Sequence, residues 1–254
     1  MSGKQNYHIV IPARYASQRL PGKMLLDLAG KPLLQHVWER AGDSNAEAVV
    51  IATDDERIYF AAESFGAEVV MTLASHQSGS DRIAECARQC GWPSDQLIVN
   101  LQGDEPMMPA ACMDQVAELL AANPDCEVAS LYWPISSVEE LASPNAVKVV
   151  TDLNERALYF SRYPVPFARD CDNLEAAMSG AYQWKRHLGL YAYRLSALER
   201  FTAGEPTPLE QTERLEQLRF MEQGAGICMA QARQFIPAGV DTREDLERIR
   251  KSIV

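Results

Sequence analysis

Apolar runs alternate with amphipathic segments through the first half of the chain. Runs that are mostly apolar, many of their residues β-branched, occur at 7–12, 47–53, 67–72 and 96–102. Apolar positions at helical spacing occur at 32–41, 55–65, 80–90 and 109–122. Runs that are apolar on both faces are typical of buried parallel strands. The alternation therefore predicts an α/β fold built on a mostly parallel, doubly wound sheet.

The second half of the chain has a different pattern. Strand-like runs follow one another without regular helices between them, at 127–135, 146–151, 157–161 and 187–193. Helical patterns return at 195–203 and 209–223, followed by a strand near 227–235 and a charged helix from 242. We interpret residues 1–254 as one domain in which about 125–195 form a smaller mixed α+β region. Residues 163–186 are a long Pro- and aromatic-rich excursion, and such loops usually serve function or an interface.

The loop after the first strand carries most of the positive charge of its region. Arg14, Arg19 and Lys23 lie within ten residues, separated by small residues and a Pro-Gly turn. In an open α/β sheet, ligands bind beyond the carboxyl ends of the strands, where this loop is expected. Small residues let backbone N–H groups approach a phosphate closely, and the cations supply charge. A polyphosphate-binding loop is favoured over a solvated basic loop.

Composition narrows the class of ligand. The chain has 24 Lys+Arg and 35 Asp+Glu, a net charge of −11. Residues 1–40 hold six cations and two anions, leaving 18 cations and 33 anions elsewhere. An acidic protein with one basic patch favours a small anionic ligand over nucleic acid. The chain shows no apolar run near the ~20 residues of a membrane span. Its six cysteines include no C-x-x-C pair. Together these features predict a cytoplasmic protein with reduced thiols.

Two carboxylates stand at strand ends with glycine nearby. Asp104 follows the run 97–102 in a Gly-Asp-Glu-Pro turn, and Asp241 follows Gly239 and precedes a capping-box pattern at Thr242. Mg²⁺ binds one or two protein carboxylates together with substrate phosphates. The pair is a candidate metal site, and turn or capping contacts are the structural alternative.

Other polar residues are weaker signals taken singly. Thr53 or Asp54 is expected to cap the helix that follows, and the segment 76–82 could recognise a base edge or simply begin a helix. His187 and Tyr191, four apart in a strand, should share one face. The sequence lacks a P-loop, a G-x-G-x-x-G fingerprint after the first strand and a G-x-S-x-G elbow, which argues against the corresponding kinase, dehydrogenase and hydrolase classes.

Taken together, the motifs resemble the CMP-Kdo synthetase family, the 3-deoxy-manno-octulosonate cytidylyltransferases. The resemblance runs from residue 9 to about 250, in order and at matching intervals. It rests on IPARYASQRLPGK (11–23), ATDDER (52–57), HQSGSDR (76–82), NLQGDEP (100–106), PNAVKVV (144–150), YFSR (159–162), HLGLYAYR (187–194), LEQLR (215–219) and GVDT (239–242). Nine co-linear motifs make a chance agreement negligible.

The resemblance implies a Rossmann-like nucleotidyltransferase that moves CMP from CTP to the anomeric hydroxyl of Kdo, releasing pyrophosphate for lipopolysaccharide synthesis. It implies a Mg²⁺-dependent homodimer, with the 125–195 region serving dimerisation and sugar binding. Arg14, Lys23, Asp104 and Asp241 would be catalytic, the two aspartates as metal ligands. The nucleotide would contact Ala13, Arg14, Lys23, Gln77, Ser78, Arg82 and Asp104. The sugar acid would contact Gln102, Arg162, His187, Tyr191, Glu216 and Gln217.

Four residues depart from the family pattern: Gln18, Met24, Ser80 and Tyr163. Tyr163 follows Arg162 and stands near the expected sugar site. Two alternatives therefore stay open at the level of sequence. The chain could activate another nonulosonic acid, such as an amino-substituted Kdo or a sialic acid, or it could be a non-catalytic nucleotide-binding regulator. Intact Asp104 and Asp241 favour an enzyme.

Overall fold

The computed structural model of the protein describes residues 6–17, 19–76 and 78–253. Its first half contains β1 (Tyr7–Ala13), β2 (Asp27–Leu28), β3 (Lys31–Pro32), α1 (Leu33–Gly42), β4 (Ala48–Thr53), α2 (Glu56–Ser64), β5 (Glu68–Met71), α3 (Gly79–Gln89), β6 (Leu97–Asn100) and α4 (Ala110–Ala122). Its second half contains β7 (Val128–Pro134), α5 (Val138–Ala142), β8 (Lys148–Thr151), β9 (Ala157–Ser161), α6 (Leu174–Met178), β10 (Lys185–Arg194), α7 (Leu195–Ala203), α8 (Pro208–Glu213), α9 (Gln217–Glu222), β11 (Ile227–Gln231) and α10 (Arg243–Ile253).

The central sheet has the order β11-β7-β10-β6-β1-β4-β5. The pairs β6–β1, β1–β4, β4–β5 and β11–β7 are parallel, whereas β10 lies antiparallel between β6 and β7. Strand β8 branches from β10 and pairs with β9. This arrangement confirms the predicted mostly parallel α/β sheet. The antiparallel β10 joins the segment around 125–195 directly to the central sheet.

Helices cover both faces of the sheet, which explains why consecutive residues of the strands are apolar. In β1, Ile9 and Ile11 pack with α1, α2 and α4 on one face, and Val10 packs with α3 and α7 on the other. These three side chains have no solvent-exposed surface. Each such aliphatic residue contributes about 1.5–3 kcal/mol of burial free energy. The helices of this double layer fix where the strands end, and the loops at those ends form the cleft described below.

The helix after β4 begins one residue later than the sequence predicts. Neither Thr53 nor Asp54 caps α2; the carboxylate of Asp55 accepts from the backbone N–H of Arg57 at 3.0 Å and performs that role. Asp54 instead forms an ion pair with Arg82, with Oδ2 and Nη2 separated by 2.7 Å. A carboxylate that can reach a buried guanidinium gains more there than at an exposed helix end.

The segment predicted as one helix at 209–223 consists of two short helices. Helix α8 ends at Glu213, its C-cap Arg214 has a left-handed backbone with φ of 56°, and α9 starts at Gln217. No periodicity of apolar residues reports this break, because the contacts that fix it come from β9, far away in the sequence. The predicted excursion at 163–186 contains the five-residue helix α6, and a second five-residue helix that the sequence did not predict, α5, lies between β7 and β8. Strand β11 ends at Gln231, short of the predicted 235.

All six cysteines are free thiols. Within the described part of the chain, no helix combines the length and the apolar character needed to cross a bilayer.

Candidate active site

The loop between β1 and the short 3₁₀ turn at Lys23–Leu25 folds back on itself at the end of the sheet. Gly22 has a φ of 68°, and its N–H donates to the carbonyl of Tyr15 at 3.1 Å. A non-glycine residue would be strained in that left-handed conformation. The turn directs the Lys23 side chain inward, so that only 8% of it is exposed. Arg14 leaves β1 half-buried beside it. Ala13 is buried at the strand end, and Gln18 lies outside the described residues.

Lys23 joins the two aspartates that the sequence singles out. Its Nζ lies 2.5 Å from Oδ2 of Asp104 and 3.2 Å from Oδ1 of Asp241, and it donates to the carbonyl of Val240 at 3.0 Å. Arg19 adds an ion pair to the other oxygen of Asp241, at 2.9 Å. The predicted loop cations and the predicted carboxylates therefore meet at one point, although more than 200 residues separate Lys23 from Asp241.

A close backbone contact brings Asp241 to this point. The N–H of Val240 donates to the carbonyl of Asp104 at 2.8 Å. A Cβ at Gly239 would lie 2.8 Å from that same carbonyl oxygen, a distance that real Cβ atoms do not tolerate. Glycine is therefore required for the 239–241 segment to approach the β6 turn. This contact is the structural reason for a Gly-Val-Asp order at this position.

The donor set fits a hard divalent cation that shares its ligands with a substrate. Asp104 and Asp241 supply carboxylate oxygens, and among the described residues no group of three or more His, Cys, Asp or Glu side chains gathers into an all-protein metal site. Mg²⁺ characteristically takes one or two carboxylates and completes its shell with phosphate oxygens and water. The positive charge of Lys23 between the two carboxylates shows that the position favours a cation.

Glu105 is a third carboxyl beside this pair, with a different character. Burial raises its pKa to about 8, and the charges of Asp104 and Asp241 act in the same direction. Its Oε2 is buried without a hydrogen-bond partner among the described residues. A carboxyl with that pKa is mostly protonated at neutral pH. The negative charge available to a cation therefore comes from the two aspartates.

The segment that follows β5 leads into α3 beside the loop that carries Arg14 and Lys23. Ser78 and Asp81 form a capping box that starts α3, with the Ser78 Oγ accepting from the N–H of Asp81 at 3.1 Å. Arg82 is fully buried, and its guanidinium donates to Asp54 and to the hydroxyl of Thr72. Gln77 lies outside the described residues. Ser78 thus lines the cleft, whereas Arg82 supports its wall from beneath.

The cleft contains two cavities that share a wall. A third cavity beside them, of about 520 Å³, is lined by Ser78, Asp81, Arg214 and Glu216 with their neighbours. The two that share a wall differ in their linings. One, of about 510 Å³, is lined by Arg14, Lys23, Ser78, Gln102, Glu216 and Asp241 with their neighbours. The other, of about 280 Å³, is lined by Gln102, Tyr191, Glu216 and Gln217 with their neighbours. Gly79, Gln102 and Glu216 belong to both linings. The first lining holds three cations, Arg14, Arg19 and Lys23, against two carboxylates, and we call it the cationic end. The second is polar, with one charge of each sign at Arg214 and Glu216.

Glu216 stands where the two cavities join. Its Oε2 accepts from the hydroxyl of Ser80 at 2.9 Å. Loss of bulk water around the carboxylate raises its pKa, and the nearby charges of Glu210 and Asp81 reinforce the effect. Ser80, one of the departures from the family pattern, is thus a direct partner of a predicted sugar-binding residue.

Two predicted sugar-binding residues lie outside these two linings. Arg162 borders a separate cavity of about 620 Å³ that also includes Tyr163, Phe167 and Trp184. Its guanidinium donates to the backbone carbonyls of Glu213 at 2.6 Å, Pro144 at 2.9 Å and Arg214 at 3.2 Å. Three of its five N–H donors are used in this way, and two remain.

His187 lies behind Tyr191, with their ring centroids 5.2 Å apart, which confirms that the two residues share a face of β10. Its Nε2 is 3.1 Å from the hydroxyl of Ser130, and its ring packs edge-on against Phe160. Burial lowers the pKa of His187 to about 3, so the imidazole is neutral at physiological pH. It can therefore exchange neutral hydrogen bonds but supplies no positive charge.

This pKa predicts an acid-sensitive stability. An unfolded histidine has a pKa near 6.5, so between pH 6.5 and about 3 the unfolded chain binds a proton that the folded chain does not. The stability present above pH 6.5 is therefore lost as the pH falls. From pH 7 to pH 5 we expect the wild type to lose about 2 kcal/mol more free energy of unfolding than His187→Gln. Urea unfolding at both pH values measures this, and equal losses in the two proteins would contradict it.

Two residues of the second cavity do not stand out in the sequence. Asn100 ends the buried strand β6, is 3% exposed, and its Oδ1 has no partner among the described residues. A polar residue that ends an apolar run at the carboxyl edge of a sheet is the signal that could have identified it. Arg214 also lines this cavity. It falls within a predicted continuous helix, so only the break between α8 and α9 reveals its position.

Comparison with known proteins agrees with this geometry. The profile of a family described as cytidylyltransferase matches residues 8–231. The 3-deoxy-manno-octulosonate cytidylyltransferase of Pseudomonas syringae pv. syringae is 52% identical over 250 residues, covering 96% of this chain and 97% of that protein. The protein of the same name from Thioalkalivibrio sulfidiphilus is also 52% identical, over 97% of this chain and 98% of its own length.

Solved structures show the same relation. A CMP:2-keto-3-deoxy-manno-octonic acid synthetase complexed with CTP superposes with a TM-score of 0.87 at 40% identity, covering 98% of both chains. A cytidylyltransferase from Leptospira borgpetersenii, at 19% identity and a TM-score of 0.62, covers 98% of this chain and 87% of its own. The second likeness concerns the fold alone.

Proposed function

The chain belongs to the cytidylyltransferase family, among the CMP-Kdo synthetases, and from this premise we propose that it transfers CMP from CTP to the anomeric hydroxyl of Kdo, releasing pyrophosphate. The observation that carries the proposal is the contact of Lys23 with Asp104 and Asp241 at the cationic end of a cleft whose other end is polar. A triphosphate requires the cationic environment, and a polyhydroxylated sugar requires the polar one. The CMP-activated sugar would serve lipopolysaccharide synthesis.

The cationic cavity suits the triphosphate. Arg14 and Lys23 can neutralise phosphate oxygens, and Ser78 and Gly79 place the N-terminus of α3, the positive end of its dipole, in the same lining. We assign Ala13, Gln77 and Arg82 to the nucleotide side on the strength of their motifs. Arg82 would act there through the buried pair with Asp54, which holds the wall in place.

The polar cavity suits the sugar acid. Gln102, Tyr191 and Gln217 present amide and hydroxyl groups to it, and Glu216 stands where it meets the triphosphate cavity. In this arrangement the anomeric hydroxyl points toward Asp104 and Asp241. We retain His187 and Arg162 as residues of the sugar side that lie behind this lining, His187 through its contact with Tyr191.

The reaction is an in-line displacement at the α-phosphorus. The hydroxyl oxygen forms a bond to that phosphorus while the bond to the bridging oxygen of pyrophosphate breaks. Such transfers depend on positioning and on charge neutralisation more than on covalent help from the protein. Arg14 and Lys23 stabilise the charge that develops on the leaving pyrophosphate. Asp104 and Asp241 would hold Mg²⁺, which when bound neutralises phosphate charge and lowers the pKa of the attacking hydroxyl.

The direct test is release of pyrophosphate with each nucleoside triphosphate paired with each sugar acid. Turnover that requires CTP, Kdo and Mg²⁺ together supports the proposal. Turnover with CTP and a different sugar acid alone would keep the cytidylyl transfer and replace the substrate. Absence of turnover with every pair, in a protein that binds CTP, would favour the non-catalytic regulator.

Lys23 provides a test on the nucleotide side. Lys23→Ala removes a charged contact to the triphosphate, which typically costs about 1.5–3 kcal/mol, or roughly 10- to 150-fold in affinity. We expect the KM for CTP to rise by that factor while the KM for Kdo changes little. Lys31→Ala, which removes an exposed partner of Glu39 outside the cleft, is the matched control. A rise confined to the KM for Kdo would move the loop to the other substrate.

Assembly and location complete the proposal. Tyr163 and Phe167 are 75% and 83% exposed beside the 620 Å³ cavity, and Leu158 of β9 is 57% exposed. Exposed apolar groups gathered near one cavity favour a protein partner, and we propose a homodimer through this region. Light scattering at micromolar concentration tests it, with a monomer mass as the contrary outcome.

We place the reaction in the cytoplasm, where CTP is available, and cell fractionation tests that assignment.

A further inference from the structure

Most cations around the cleft already have an anionic partner. Lys23 and Arg19 pair with the aspartates, and Arg219 pairs with Glu210 at 2.6 Å. Within the described ranges, the guanidinium groups of Arg14 and Arg214 have neither an ion pair nor a hydrogen bond. Arg14 lines the cationic cavity, and Arg214 lies between the polar cavity and the adjoining one of about 520 Å³, lining both. The cleft thus presents one uncommitted guanidinium at each end.

The backbone at Arg214 is held by an elaborate set of contacts. Arg214 has the left-handed φ of 56°, a conformation that costs a non-glycine residue of order 1 kcal/mol. The Arg162 guanidinium donates to the backbone carbonyls of Glu213 and Arg214. The Glu213 carboxylate in turn accepts from the backbone N–H of Arg162 at 2.9 Å and from the Ser161 hydroxyl at 2.7 Å. These contacts tie the turn to β9 and leave the side chain of Arg214 at the cavity.

The floor of the same cavity is ready for a neutral polar ligand. Asn100 is 3% exposed and Gln217 is 5% exposed. Neither the Oδ1 of Asn100 nor the Nε2 of Gln217 has a hydrogen-bond partner among the described residues. Buried polar atoms without partners are costly, so they indicate a ligand that satisfies them. The other charged residue of the lining, Glu216, already accepts from Ser80. The cavity therefore combines neutral polar groups below with one unpaired cation at its rim.

We propose that Arg214 determines specificity for an acidic sugar by binding its carboxylate, while Asn100 and Gln217 bind its hydroxyls. This inference rests on the proposed function. A guanidinium can hold a carboxylate through two parallel hydrogen bonds. Arg162, which the motif resemblance places at the sugar acid, uses three of its N–H donors on backbone carbonyls. Its main role in this arrangement is to position the Arg214 turn.

The test compares Arg214→Gln and Arg214→Lys with the wild type under steady-state conditions. We expect Arg214→Gln to raise the KM for Kdo about tenfold, as the loss of a charged hydrogen bond does, with the KM for CTP unchanged. Arg214→Lys, which keeps the charge, should recover part of the loss. Arg233→Gln, which removes an exposed partner of Glu118 outside the cleft, is the matched control.

A modified substrate separates recognition of the carboxylate from a structural effect. With the carboxamide of Kdo in place of the acid, wild type and Arg214→Gln should give the same KM, because the charge that Arg214 contacts is absent. An unchanged KM for Kdo in Arg214→Gln, an equal loss with the carboxamide, or a parallel rise in the KM for CTP would each overturn the inference. Failure of the proposed function is distinct, because the wild type itself would then show no turnover of Kdo.

Discussion

Replacement of Asp104 by asparagine should abolish most turnover while the protein stays folded. The substitution keeps the shape of the side chain but removes one of the two carboxylates proposed to hold Mg²⁺, and with it one negative charge. Metal ions supply several kcal/mol of charge stabilisation in such transfers. Since 1.36 kcal/mol corresponds to a factor of ten, we expect kcat to fall by about 10³-fold, with a similar result for Asp241→Asn.

Steady-state rates as a function of Mg²⁺ concentration measure this effect. The variant should also need more Mg²⁺ to reach half of its residual rate. Asp125→Asn, at an exposed carboxylate paired with Arg156, is the control for the loss of one acidic residue from the surface. Circular dichroism and thermal unfolding check that the fold persists, which is expected because Asp104 is partly exposed in a turn. A rate within a few-fold of the wild type at ordinary Mg²⁺ would remove Asp104 from the metal site.

Kdo should be preferred to sialic acid as the acceptor by a large factor. A cavity built to hydrogen-bond particular hydroxyls rejects an analogue that does not offer them, because its own polar groups are then left unpaired, and discrimination can reach ~10⁴-fold. The unpartnered amide atoms of Asn100 and Gln217 are such groups.

The ratio of kcat/KM for Kdo to kcat/KM for sialic acid, measured with CTP at saturation, tests this preference. The same assay with ATP, GTP and UTP should show poor use of each. Comparable values for Kdo and sialic acid would overturn the assignment of the sugar and leave the cytidylyl transfer intact. Asn100→Ala removes one of the amide groups that line the cavity, so it should reduce the preference for Kdo over sialic acid without changing the choice of nucleotide. An unchanged preference for Kdo would show that Asn100 does not contact the sugar.

The sequence reveals which residues form the site but not all of the contacts between them. Arg14, Lys23, Asp104 and Asp241 are recognisable in the sequence because each follows an apolar strand or a glycine turn, and strand ends meet at one edge of an α/β sheet. Their proximity follows from the fold class. The direct contact of Lys23 with both carboxylates does not, because it depends on how Gly239 lets one turn lie against another.

The sequence by itself determined the order of the four long strands and four helices of the first half, though not the short strands β2 and β3, because burial on both faces of the sheet requires mostly apolar strands with helical periodicity between them. It also determined the chemistry available at the strand ends. Only the tertiary structure decided that β10 runs antiparallel inside the sheet, that α8 and α9 are separate, and that Arg214 lines the polar cavity while Arg162 holds the turn behind it. These features depend on contacts between residues far apart in the chain, such as Arg162 with Glu213 and Lys23 with Asp241, and local patterns of polarity carry no record of such partners.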